Sequence, residues 1–409
     1  MTLASTAATV PFFLERSALA MTNWDAALSS APGVPEDHVL VVVQLAGGND
    51  GLNTVVPYSS SRYYTARPTI GIPEKEILKL GSTGVGLHPK LAGLKSLYDD
   101  GLVSIVQGVG YPNPNRSHFK SMDIWHTART DAHGKGWLGR YFDNECGGAP
   151  SSDIGVAIGA EAPLAMQGAQ IAPVTFESAD AFQWRPASKR QALSKSYNDI
   201  MREGEISGVA PGSNADYLMR TALDARLASD RIRKAVDRTA LVDYPRSNLA
   251  SQLKTVAAMI RAGLPTRVYY VTISGFDTHA AQGAANGRHG NRLAELGSSL
   301  RAFSRDLKAS GDDVRTLTMV FSEFGRRVGQ NASGGTDHGA AAPMLLVGPM
   351  VRPGVLNRHP SLSDLDSGDL KFSVDFRSVY AAALEHWMGA DARAILGRRY
   401  PRLNAIKKI

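Results

Sequence analysis

The stretch HVLVVVQLA (38–46) is apolar at nearly every position rather than at every second one. A strand with one face in water alternates, whereas a strand covered on both faces reads as a continuous apolar run. LVSIVQGV (102–109), RVYYVTISG (267–275), RTLTMVFS (315–322) and APMLLVGPMV (342–351) read the same way. Such runs fit strands buried in one mainly parallel sheet. Parallel strands need covering crossovers, and NRLAELGSSLRAFSRDLKASG (291–311) supplies one between two of the runs. Its Leu293, Leu296, Leu300, Phe303 and Leu307 step by three and four, a helical stripe closed by glycine. Strand, helix and strand at this spacing make a βαβ unit. A further helix is expected over PKLAGLKSLYDDG (89–101). The fold class is therefore α/β, a mainly parallel central sheet flanked by helices. The middle, about 150–265, reads as a helical insertion, from SKRQALSKSYNDIMREGE and NADYLMRTALDARLASDRIRKAV.

The 409 residues are 43% hydrophobic and 20% charged, with no acidic or basic block, so the chain is not disordered as a whole. Its net charge of +7 is spread thinly. The densest basic runs, NRSHFK, ARLASDRIRK and GRRYPRLNAIKKI, lack the interleaved aromatics of a single-strand binder, and no nucleic-acid partner is expected. A single cysteine, Cys146, excludes an internal disulfide. No apolar run reaches the roughly 18 residues of a transmembrane helix. ASTAATVPFFLERSALA (4–20) ends in Ala-Leu-Ala, which suits cleavage after small residues, but lacks a basic start. Residues 1–20 are read as a residual export signal, of twin-arginine type, with an ordinary N-terminal helix as the alternative; residues 21–36 read as a linker and 37–409 as a single domain. Residues 1–20 are expected to be dispensable for folding, and the protein to be periplasmic or extracellular.

The chemistry gathers at the strand ends. In open α/β sheets ligands bind outside the carboxyl ends of the strands. The first run ends in GGNDGLN, with Asp50 in a glycine-rich turn. The second leads through GYPNPNRSHF to Ser117 and His118. The third ends in GFDTH, with Asp277 and His279, and the fourth in SEFGRR, with Glu323 and Arg326. GGTDHGAAAP then brings Asp337 and His338 up to the fifth. Each has an ordinary explanation: turn chemistry for Asp50, a helix cap for Ser117, an ion pair for Glu323 and Arg326. Together they place several carboxylates in one crevice, which is costly without compensation. Divalent cations offset that charge, and imidazoles beside carboxylates are zinc-type ligands. The candidate metal ligands are Asp50, Asp277, His279, Glu323, Asp337 and His338.

VVQLAGGNDGLNTVVPY, NPNRSHFKSMDIWHTA, GFDTHAAQ, FSEFGRRVGQNASGGTDHGAAAPMLLVGP and DFRSVYAAALEHWMGA resemble the DUF1501 family of exported bacterial proteins, over about 38–395. That family is similar to the alkaline phosphatase and sulfatase superfamily. The resemblance implies an α/β core, two divalent cation positions (zinc, calcium or magnesium) and a Ser, Thr or formylglycine nucleophile. It matches Asp50 to the first-strand carboxylate, Ser117 to the nucleophile, Asp277 and His279 to an Asp–His metal pair, and His338 to the last metal histidine. Where an Asp-His dipeptide is common, this chain has Glu323 followed by Phe324, so one imidazole is missing. In another register Asp337-His338 is that dipeptide.

These residues imply metal-assisted hydrolysis of a phosphate or sulfate ester carried by a small molecule or glycan. Ser117 attacks, Arg326 or Arg116 holds the ester oxygens, and His118 protonates the leaving group. No Cys-x-Pro-x-Arg formylglycine motif occurs, which favours phosphate. The rival from another class is a secreted, metal-binding, non-catalytic surface or carbohydrate-associated protein. A phosphomutase-like transferase fits an exported chain poorly. Oligomeric state is not readable from the sequence.

Overall fold

A computed structural model describes residues 37–145, 152–169, 171, 173–177 and 231–407. The export segment, the linker, Cys146 and residues 178–230 of the expected helical insertion lie outside them. Among the described residues nine strands form the main sheet: β1 (Val39–Leu45), β2 (Val103–Gly110), β3 (Gly155–Ile158), β4 (Val174–Phe176), β5 (Val268–Ile273), β6 (Thr316–Phe321), β7 (Ala342–Val347), β8 (Gly354–Leu356) and β9 (Val374–Asp375). Their order is β8-β2-β7-β6-β1-β5-β3-β4, with β9 extending the edge of β2. The five expected runs are all present, within two residues at their starts. β1 sits at the centre, all seven of its residues buried, paired in parallel with β5 through Val41↔Tyr269 and with β6 through Val41↔Thr318.

One strand breaks the parallel rule. β7 pairs antiparallel with both β2 and β6. Its amino end therefore lies at the edge where the parallel strands have their carboxyl ends. A residue just before β7 is delivered to the same rim as residues just after β1, β2, β5 and β6. Apolar periodicity carries no information about strand direction, which is why the sequence reads β7 like its neighbours.

Helices cover both faces. On one lie α1 (Ala92–Asp99), α4 (Asn248–Arg261) and α5 (Arg288–Ser310), packed on Val39, Val41 and Val43; on the other lie α2 (His118–Thr127), α3 (Trp137–Glu145) and α6 (Phe376–Ala383), packed on Leu40 and Val42. The stripe Leu293, Leu296, Leu300, Phe303 and Leu307 is buried throughout. Each such side chain contributes roughly 1.5–3 kcal/mol of hydrophobic stabilisation. Between β5 and β6 the crossover through α5 passes over β1, so the βαβ unit spans one intervening strand. Among the described residues no helix is long and apolar enough to cross a membrane.

α1 reaches α5 at a glycine. A methyl group on Gly93 would run into the Gly297 carbonyl. Gly93→Ala is a better helix former by about 1 kcal/mol, yet overpacking against backbone costs about 1–3 kcal/mol. Net destabilisation is expected in urea unfolding, and a variant as stable as the parent would show that the helices separate freely.

Candidate metal centre

The loops at the carboxyl rim are built around one buried cation. Arg326 is 1% exposed. Its Nε donates to the Gly48 carbonyl and Nη1 to Thr336, while Nη2 donates to Gly47, Phe276 and the Asp277 Oδ1. The chain around it doubles back: Arg326 bridges His338, Gly325 N–H donates to Ala340, and Arg327 N–H to Asp337. This ribbon carries His338 over the loop that follows β5. Gly47, at φ 119°, is a glycine because a β-carbon there would strike the Asp277 backbone nitrogen.

His118, Asp277 and His338 meet above this base, each offering a ligand atom within 4.8 Å of the others. His118 Nε2 lies 3.6 Å from Asp277 Oδ2, and His338 Nε2 lies 3.4 Å from Asp277 Oδ1. Ligands about 2.0–2.1 Å from a tetrahedral ion stand roughly 3.3 Å apart, close to these separations. His279 Nε2 is 3.1 Å from Asp277 Oδ1 and 2.8 Å from His338 Nε2. Asp337 Oδ1 lies farther out, accepting from Asn331 at 3.0 Å and 3.4 Å from His279 Nδ1.

The donor set fits a divalent cation. His338 Nδ1–H donates to the Arg116 carbonyl at 2.7 Å, leaving Nε2 as the lone-pair nitrogen. His118 Nε2 is buried and has no hydrogen-bond partner among the described residues. Burial on its own would raise the Asp277 carboxyl, but Arg326 overrides it and holds the group below the ordinary value. The hydrogen bond to the Glu323 carboxylate raises His118, whereas burial lowers His338.

Three expected site residues have other places. Asp50, fully buried, accepts from Arg67 Nη1 and Gln282 Nε2, each at 2.5 Å, away from the His118–Asp277–His338 group. Burial works against its ionisation, but Arg67 wins and lowers the carboxyl. Gln282 in turn accepts from Thr278 and Thr336, the neighbours of Asp277 and Asp337, so this network braces the site from below. Glu323, 2% exposed, takes the Gly47 N–H at 2.8 Å and His118 Nδ1 at 2.9 Å. Arg326 has its N–H groups engaged as described, so no free fork faces outward. Arg116, its alternative, donates two bonds to Asp369.

Ser117 is exposed at the N-cap position of the ten-residue α2, and its side chain makes no capping hydrogen bond. Its backbone N–H donates to Asn115 Oδ1 at 2.8 Å. The ordinary explanation of Ser117 as a capping hydroxyl thus lacks its bond. Sequence reasoning passed over Arg67, Gln282 and His289. Gln282 ends the GFDTHAAQ stretch and was the one readable signal, since a polar residue five beyond Asp277 needs a partner once buried.

Arg67→Met should cost about 3–5 kcal/mol in urea unfolding, because it leaves the Asp50 charge buried and unpaired; a loss below 1 kcal/mol would show that Asp50 is protonated or hydrated. A pH series tests the buried imidazoles. Burial lowers His88 and His126 to about 4 and His289 to about 3. Above the unfolded value of 6.5 they are neutral in both states and contribute no slope. Below it the unfolded chain takes up protons that the native state refuses, so stability falls as pH falls. These three groups alone give roughly 4 kcal/mol per pH unit between about pH 6 and 5, and His38, His338 and His359, also lowered by burial, add in the same direction. The His118 contribution, from a raised value, is already complete below 6.5 and leaves this slope alone. A flat stability profile over that window would contradict the buried neutral state.

Among curated proteins nothing matches this chain. Solved structures do. A protein in the alkaline phosphatase superfamily from Vibrio parahaemolyticus is 10% identical, with 94% of this chain and 76% of that one covered at a TM-score of 0.38. The PsFucS1 sulfatase from Pseudoalteromonas sp. is 12% identical, over 86% and 67%, at 0.36. The C-terminal periplasmic domain of EcEptC from Escherichia coli, in complex with Zn, is 10% identical, over 79% and 77%, at 0.34. The model of the family described as protein of unknown function (DUF1501) matches residues 101–396, well over half of the sequence, and the chain belongs to that family.

Proposed function

We propose that the protein is an exported, metal-dependent hydrolase of phosphate or sulfate esters, on a small molecule or glycan, with Ser117 as nucleophile. The observation that carries the reading is that His118, Asp277 and His338 converge one residue from an exposed, uncapped serine at a helix start. His118, Asp277 and His338, with His279 beside them, would hold the cation. When bound, a divalent ion lowers the pKa of a nearby hydroxyl and offsets the charge of an anionic ester. The chain's own part is positional. α2 directs its first free amides, and the positive end of its dipole, towards the space beside Ser117, which favours an anionic oxygen there. Ser117 Oγ forms a bond to phosphorus or sulfur as the bond to the departing alcohol breaks. The serine proton leaves to solvent, and the alcohol takes one from solvent. Water then cleaves the seryl ester, releasing phosphate or sulfate. The export part of the reading rests on residues 4–20 alone.

One observation favours the non-catalytic reading. Arg326 and Arg116, the expected clamps for ester oxygens, are both committed to carboxylates, and Arg326 also to backbone. The two readings separate on Ser117→Ala, assayed on an aryl phosphate and an aryl sulfate together with metal content. The hydrolase predicts a loss of turnover by several orders of magnitude with zinc affinity unchanged and stability shifted by less than about 1 kcal/mol. Parent-level turnover in the variant would end the nucleophile assignment. Bound metal with no turnover in the parent would favour the binding protein.

A further inference from the structure

We infer that Glu323 is a positioning residue that holds His118 in its Nδ1–H tautomer and so presents the His118 Nε2 lone pair to Asp277 and His338. This deepens the proposed metal centre and rests on it. The sequence suggests the reverse assignment, with Glu323 as ligand and His118 as proton donor. The Glu323 carboxylate, however, is occupied. Oε1 accepts from the Gly47 N–H and lies 2.9 Å from His118 Nδ1, and Oε2 lies 3.1 Å from Ser322 Oγ, whose one proton also has the Leu45 carbonyl at 2.7 Å. Glu323 is absent from the group whose ligand atoms meet, while His118 is in it.

An ionised carboxylate has only lone pairs to offer, so the proton in the 2.9 Å contact belongs to His118 Nδ1. Nε2 of the neutral ring is then an acceptor, and it is the atom found buried without a partner. The ring has little freedom to turn: Phe324 lies against it at 5.0 Å between centroids and His338 meets it edge-on at 4.3 Å. The first turns of α2 are tied to the same strand end, since Ser121 Oγ donates to the Glu323 carbonyl at 2.6 Å. His338 is held by the same logic with a weaker acceptor, the Arg116 carbonyl. Two rings thus turn the same nitrogen towards Asp277, one backed by a carboxylate and one by a peptide group. A carboxylate behind an imidazole fixes its orientation and strengthens it as a donor to metal.

The test uses the full chain, stripped of metal, with 15N-labelled histidine for NMR and with zinc and cobalt titrations. The wild-type His118 should appear as the Nδ1–H tautomer. Glu323→Gln should keep the melting temperature near that of the parent, lose the single tautomer and bind zinc about 10–100-fold more weakly. Its cobalt complex should keep the parent's absorption spectrum, because the ligands are unchanged. His118→Ala should change that spectrum and weaken zinc further. Glu323→Gln binding zinc as tightly as the parent would overturn the inference, as would a loss and spectral change equal to those of His118→Ala, which would make Glu323 a ligand. A wild-type chain that binds neither metal would end the metal reading, and an Nε2–H tautomer of His118 in the metal-free parent would overturn the positioning role without any variant.

Discussion

Arg326 is the constraint on which the rim depends. A buried guanidinium cannot shed its proton, so each N–H it carries must find an acceptor or the cost of its burial is not met. Here the acceptors are the carbonyls of Gly47, Gly48, Phe276 and Thr336 and the carboxylate of Asp277. Those groups come from three separate loops, after β1, after β5 and before β7. One side chain therefore sets the spacing of segments more than two hundred residues apart in sequence. The same contacts keep Asp277 ionised, so the group holding the loops together also fixes the charge state of the carboxylate at the centre.

The reversal of β7 is the second requirement. In a wholly parallel sheet, a residue preceding a strand would sit at the rim opposite those that follow strands. Because β7 runs antiparallel between β2 and β6, the loop before it returns to the carboxyl rim and sets His338 beside Asp277. Beneath, the Asp50–Arg67–Gln282 network joins the turn after β1 to Thr278 and Thr336. The acid at the end of the first strand thus serves as a footing for the site.

Much of this was legible in the sequence. Continuous apolar runs identify β1, β2, β5, β6 and β7 because burial on both faces leaves no polar positions. The stripe of α5 is legible for the same reason. The site's residue types were legible too, since Asp277, His279 and His338 have no role in a core. What the sequence hides is what stands behind each side chain. The sequence reads Glu323 as a ligand and His118 as a proton donor because only the fold shows the Gly47 N–H and His118 Nδ1 gathered on the Glu323 carboxylate. Arg326 looked like a surface clamp because nothing in SEFGRR indicates that four carbonyls converge on it. Arg67 and Gln282 were missed because a buried partner is defined by contact, and contact across β1, β5 and the loop before β7 leaves no local spacing to read.

Charge balance links these pieces to chemistry. Asp277 and Glu323 bring two negative charges to the centre and Arg326 one positive, leaving one to be met, while Asp337 lies farther out under the influence of Arg327. A divalent cation held there, as proposed, would more than offset the remaining charge. An anionic ester of the proposed kind would then meet no net repulsion. Protons are the competing solution. The Glu323 carboxylate raises His118, whereas burial and Arg326 lower His338. In the proposed centre a metal ion would contend with a proton for the same nitrogen, His118 Nε2. The carboxylate behind that ring would strengthen its hold on either one, and pH and the supply of metal would decide between them.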